Sequence, residues 1–108
     1  MNFNSLKIGN LIAPIPIIQG GMGVGVSSSK LATAVANAGG IGVISAAQLG
    51  YTEDDFIKNP IEANLRALKK HITLAKASAP NGIIGVNVMV ATNYYEEHVK
   101  VAIEAGVD

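Results

Sequence analysis

Apolar residues recur along this chain at two different spacings, and the spacing changes every ten to twenty residues. In "SLKIGNLIAP" apolar and polar positions alternate around Gly9-Asn10, which predicts a hairpin of two short arms. Ile15 to Gln19 reads as a short buried strand, confined by Pro14 and Pro16 to a strand start or a place without a full ladder. Leu31, Ala34, Val35 and Ala38 then fall at i, i+3, i+4 and i+7, one face of a helix. Ser28 or Ser29 is placed to cap that helix, and Gly39-Gly40 to end it. Ile41 to Ala46 is apolar on both faces, as in a parallel strand covered by helices. A polar stretch from Ala47 to Pro60 reads as a loop with one helical turn capped by Thr52. Pro60 suits a helix start. Ile61, Leu65, Leu68, Ile72, Ala75 and Ala79 then keep one face, with Lys69, Lys70 and Lys76 off it. Ile83 to Val90 predicts a third buried strand with Asn87 as its one polar residue in the middle. In the last helix Tyr95, Val99, Ala102 and Ile103 face inward, Glu96 and Lys100 form an outer i,i+4 pair, and Gly106 caps the end.

The order is hairpin, β, α, β, α, β, α. Strands alternating with helices imply parallel βαβ units with right-handed crossovers. The closing "EAGVD" has the form of a lead-in to a further strand. Three parallel strands alone leave two open edges, and a (β/α)8 barrel takes roughly 250 residues. The expected fold class is therefore α/β. Residues 1–108 are expected to form the N-terminal portion of a TIM barrel, about three βα units in one apparently truncated domain, preceded by a short β-hairpin.

Composition narrows the partners. Of 108 residues 49% are hydrophobic and 15% charged, which demands a large interior. Eight basic and eight acidic residues cancel, which argues against nucleic acid and anionic membranes. There is no cysteine, so disulfide and thiolate chemistry are excluded. No apolar run approaches the ~20 residues of a membrane span. The opening "MNFNSLKIGN" has no basic region followed by an apolar core, so a signal peptide is not expected. The expected location is cytoplasmic.

The glycine-rich stretch "QGGMGVGVSSS" sits where a strand passes into a helix. A dinucleotide loop requires G-x-G-x-x-G. From Gly21 and Gly23 the third position is Val26, and from Gly23 and Gly25 it is Ser28, so neither register works. No Gly-Lys-Ser/Thr follows, so the stretch is not a P-loop either. A tight turn that allows close packing and a ligand loop both remain open on spacing alone.

"PIIQGGMGVGVSSSKLATAVANAGGIGVISA" followed by "GVNVMV" closely resembles the start of the nitronate monooxygenase (2-nitropropane dioxygenase) family. Flavin-dependent enoyl-ACP reductases share this opening. The resemblance runs from about Ile8 to Asp108 and implies a flavoprotein, an FMN-binding TIM barrel. By position, Gly20, Gly21 and Met22 match the segment whose backbone lies along the flavin ring. Asn87 matches a third-strand asparagine that hydrogen-bonds the flavin. Ser45 and Ala46 lie at the strand end where barrel active sites form, and Gln19 is a supporting group. The implied phosphate site and catalytic histidine lie further along than this sequence reaches, so no catalytic residue is assigned here.

The implied activity is oxidation of alkyl nitronates with FMN and O2, the 108-residue chain itself being expected to be inactive. Two other readings stand beside it. One is NAD(P)H-dependent reduction of an enoyl thioester with FMN. The other is a non-catalytic half-barrel that self-associates through its open edges. The expected partner is a small-molecule substrate, with a homo-oligomer as a further expectation. His71 and His98, on the last two helices, are expected to be solvated. Tyr94 is expected to staple the last helix. Glu53, Asp54 and Asp55 are expected to favour a helix N-terminus and not to hold a metal.

Overall fold

The computed structural model describes residues 3–108, so the first two residues of the opening segment lie outside the described residues. In order the elements are β1 (Leu6–Ile8), β2 (Leu11–Ala13), α1 (Ser29–Asn37), β3 (Ile41–Ser45), α2 (Pro60–Ser78), β4 (Ile83–Asn87) and α3 (Tyr95–Glu104). No described helix is long and apolar enough to cross a membrane. β1 and β2 form the expected hairpin, with Leu6 opposite Ala13 and Ile8 opposite Leu11.

β3 and β4 pair in parallel, Ile41 opposite Ile83 and Ser45 opposite Asn87. On one face Ile44 and Ile84 are fully buried against the helices, together with Ala32, Leu68, Ile72 and Ala75. Residues 15–19 do not make the predicted buried strand. They run beside β3 through a single parallel bridge, Ile18 to Ile41. The Ile41 N–H donates to the Ile17 carbonyl at 2.9 Å, and the Gln19 N–H to the Ile41 carbonyl at 3.0 Å. Pro14 and Pro16 have no N–H to give, and Ile17 and Ile18 are exposed. The sheet is open, and no barrel closes among the described residues.

β4 ends at Asn87 and not at Val90, because the last rung of the sheet is the Ala46 N–H donating to the Asn87 carbonyl at 3.0 Å. The "EAGVD" stretch docks on the outer edge of β4. Its Asp108 N–H donates to the Ile84 carbonyl at 2.9 Å, and its carboxylate accepts from the Ile84 N–H at 3.0 Å and from Lys76 at 2.6 Å.

Two helices present a different face from the one the spacing predicts. In α1 the buried residues are Ser29, Ala32 and Ala36, while Ala34 and Ala38 are exposed. The reason lies across the sheet. The Ala32 carbonyl occupies the place where a Cβ on Gly42 would stand, so α1 rides directly on β3. Only small side chains fit that seam, and Leu31 and Val35 are displaced to its flanks. In α3 the inward stripe is His98, Val101, Ala102 and Ala105, while Tyr95 and Ile103 are exposed. No Glu96–Lys100 ion pair forms among the described residues. Only α2 keeps its predicted face, with Leu68, Ile72, Ala75 and Ala79 fully or almost fully buried.

The acidic group after β3 does not start a helix. Residues 50–59 form successive turns, and Glu53 and Asp55 pair with Arg66 of α2 at 3.4 and 2.5 Å. The Arg66 guanidinium beside Asp55 holds that carboxyl below its ordinary value. Arg66 is exposed and both carboxylates are partly so, so the pairs add little stability.

His71 is not the solvated residue expected. It caps α1 from the neighbouring helix. Ser28 occupies the cap position, but its side chain makes no capping bond. Instead the Ser29 N–H donates to His71 Nδ1 at 3.2 Å, and the Ser29 hydroxyl lies 3.0 Å from the same nitrogen. Accepting at Nδ1 requires the neutral ring, since a protonated imidazole has no acceptor. Burial and the charge of Lys70 both lower the His71 pKa, and Glu53 opposes them weakly. A base whose pKa falls on folding stabilises the fold fully above its unfolded value of about 6.5. That contribution is lost as acid titrates the ring through its lower folded value. The thermal midpoint is therefore expected to drop as pH falls below about 6.5, and His71→Gln is expected to flatten that slope. Identical slopes in both proteins would mean that the Ser29 contact does not depend on the ring's protonation.

Candidate functional site

The loop from Gln19 to Ser28 crosses the C-terminal end of the sheet, and two side chains hold it there. Gln19 extends the pairing with β3 through its amide. Its Oε1 accepts from the Val43 N–H at 3.1 Å, and its Nε2 donates to the Ser27 hydroxyl at 3.1 Å. Ser27 is completely buried. Its oxygen also accepts from the Met22 N–H at 2.8 Å, and its hydroxyl faces the Gly20 carbonyl at 3.4 Å. Its backbone closes the loop on both sides. The Ser27 N–H donates to the Met22 carbonyl, and the Ser45 N–H donates to the Ser27 carbonyl, each at 3.0 Å. Ser27 is thus the hub of the site, and the sequence reading passed over it. The serine run signalled only a helix cap, because a buried hydroxyl bonded to a loop has no periodic signature.

The carried-over residues gather around this loop. Ser45 and Asn87 are register partners, so their side chains share the sheet face away from the buried Ile44 and Ile84. Ser45 is buried, and its hydroxyl accepts from the Ala47 N–H at 3.4 Å. Gly21 presses on Asn87. A Cβ at residue 21 would lie 2.6 Å from the Asn87 Cβ, so only glycine fits. At Gly20 an added Cβ would meet nothing within 4 Å. The tight packing at Gly21 therefore has a cause within the protein, while the space at Gly20 is open. Asn87 is exposed rather than buried, so its amide is open to solvent. Met22, Val24, Val26, Met89 and Val90 are exposed, giving this end of the sheet an apolar surface. Ala46 is buried on the opposite, helix-facing side.

His98 is also not solvated. It is only 4% exposed. Its Nδ1 lies 2.8 Å from the Tyr94 carbonyl, which also accepts the His98 N–H at 3.1 Å. Tyr94 takes the left-handed conformation, φ +62, at the cap of α3 and is exposed, as is Tyr95. The imidazole borders an open cavity of about 200 Å3 between the loops after β3 and β4. A larger cavity, about 290 Å3, lies at the other end of the sheet, beside the hairpin and Gly82.

No curated protein matches the chain. The family model described as nitronate monooxygenase matches residues 4–108, which include the glycine loop, both sheet strands and Asn87. On that match the chain belongs to the nitronate monooxygenase family, a family of oxidoreductases.

Proposed function

We propose that this chain forms a flavin-binding wall of a cytoplasmic, nitronate monooxygenase-like flavoenzyme built on a (β/α)8 barrel, and that the flavin is FMN. The observation that carries the reading is the open space at Gly20, next in the chain to Gly21, which packs on the exposed Asn87. These residues fit a flat heteroaromatic ring. The backbone at Gly20 carries no side chain to hold a ring away, and Met22 and Met89 offer soft apolar contact. Asn87 supplies a donor and an acceptor for the polar edge of the ring.

In this reading Gly20, Gly21 and Met22 lie along the ring, Asn87 bonds its edge and Ser45 stands below. FMN held by these residues would supply the redox chemistry between a nitronate and O2. The part of this chain is to orient the ring and exclude water. Gln19 and Ser27 keep the loop in one shape, so that ordering it is not charged against binding. The balanced charge of the chain supports a small-molecule substrate over nucleic acid.

Titration of FMN with the chain, followed by flavin fluorescence, tests this. Saturable quenching is expected, with affinity about tenfold weaker in Asn87→Ala, the size of one hydrogen bond. Equal affinity in the variant would remove Asn87 from the site. No quenching by the folded chain would overturn the reading. In a protein that holds the whole barrel, nitronate-dependent oxygen uptake, set against reduction of an enoyl thioester by NAD(P)H, separates the two flavin chemistries.

A further inference from the structure

The cavity between the loops after β3 and β4 holds two buried polar side chains that each present one unused atom. His98 spends Nδ1 on the Tyr94 carbonyl at 2.8 Å, so that nitrogen carries the proton and Nε2 is left as an acceptor. Asn64 of α2 spends its Oδ1 on the Gly50 N–H at 2.8 Å, which fixes the amide orientation and leaves Nδ2 as a donor. Neither free atom has a partner among the described residues, and neither is sealed from solvent. Both side chains are more than nine-tenths buried and border the same cavity of about 200 Å3.

Its remaining walls include Ala46, Ile61 and Met89, which are apolar. Gln48, Thr92 and Asn93 also line it, so the recess is of mixed character, and a few polar groups fixed among apolar walls can orient a small molecule. The volume equals roughly seven water molecules of liquid. The backbone supports the same reading. Gln48, which borders the cavity, sits at φ +50, and Tyr94, which holds the imidazole, sits at φ +62. These are the two described non-glycine residues with left-handed φ. Such conformations cost energy and concentrate at ligand sites.

We propose that this cavity is a second binding site, separate from the flavin wall, for a small neutral carboxamide. The carboxamide oxygen accepts from Asn64 Nδ2, and its N–H donates to His98 Nε2. With Nδ1 held to the Tyr94 carbonyl, the carboxamide N–H is the group that meets Nε2, and a carboxylate has no such donor to offer. Of the residues placed along the flavin ring Met89 alone borders the cavity, and the proposal rests on Asn64 and His98, so it stands without the flavin reading.

The test is titration of the 15N-labelled chain with isobutyramide, following the His98 ring nitrogens by long-range proton–nitrogen correlation. A saturable shift of the Nε2 resonance is expected, with the His71 ring unmoved. N,N-dimethylisobutyramide, which lacks the donor, and isobutyrate are each expected to bind about tenfold more weakly. Asn64→Asp keeps the acceptor for Gly50 and removes the donor. It is expected to weaken isobutyramide at least tenfold. Equal affinity for the dimethyl amide or for isobutyrate would overturn the proposal, as would an unchanged affinity in Asn64→Asp. No saturable shift in the natively folded chain would mean that the cavity holds only water, and would overturn it outright.

Discussion

Gly42→Ala is expected to destabilise this protein by about 3 kcal/mol or more, at the upper end of what overpacking costs. The new methyl would fall on the Ala32 carbonyl, a backbone atom of α1 that cannot turn aside as a side chain can. Ala32 itself is fully buried, so the helix has no slack on that side. The whole of α1 must lift from β3, and the small-residue seam of Ala32 and Ala36 opens with it. Natural domains have only about 5–15 kcal/mol in hand. Urea unfolding followed by circular dichroism measures the loss. The midpoint is expected to fall by about 1 M or more, given m-values of about 1–3 kcal/mol/M. A shift within error would mean that α1 sits further from the sheet than the seam implies. Gly85→Ala on β4 serves as a control. A Cβ there meets the Val43 side chain only at an ordinary 3.6 Å.

Ser27→Ala is expected to cost about 2–3 kcal/mol and to loosen the tip of the glycine loop. The hydroxyl is shared by the Met22 N–H at 2.8 Å and Gln19 Nε2 at 3.1 Å. Removing it strands both donors, and an unsatisfied donor costs about 1–3 kcal/mol where water cannot reach it. Two backbone bonds survive, Ser27 to Met22 and Ser45 to Ser27, so the loop stays attached to β3. The local sign is hydrogen exchange at the Met22 amide, expected to rise about tenfold or more. Amides of α2 should move only by the global loss. If FMN lies on Gly20 to Met22, its affinity should fall as well, because the loop must then be ordered on binding. Unchanged exchange at Met22 would show that the hydroxyl does not hold the loop.

Much of this architecture is legible in the residues. The Gly9-Asn10 hairpin, the start of α2 at Pro60, the apolar strand from Ile41 and the parallel pairing that βαβ order demands all follow from local signals. So does the long face of α2, because four turns of aliphatic residues outweigh any single contact. The residues proposed for the flavin wall sit at strand ends and in the glycine loop, where the resemblance to the family, and no periodic signal, puts them.

Other features depend on neighbours distant in sequence. The face of α1 is chosen by Gly42, ten residues away and on another element, since close approach favours alanine over Leu31 and Val35. The inward turn of His98 is decided by the Tyr94 carbonyl. That partner converts a polar residue into a buried one and rotates the stripe of α3. His71 became the cap of α1 because α2 lays it beside Ser29, 42 residues earlier in the chain. Asn87 reads as a buried polar residue from its apolar neighbours, yet β4 stops at that residue and leaves the amide open. Periodicity determined where the helices and strands run and that they alternate. Which polar atom each of them offers, and to what, was decided only when the packed elements brought a donor and an acceptor within about 3 Å of each other.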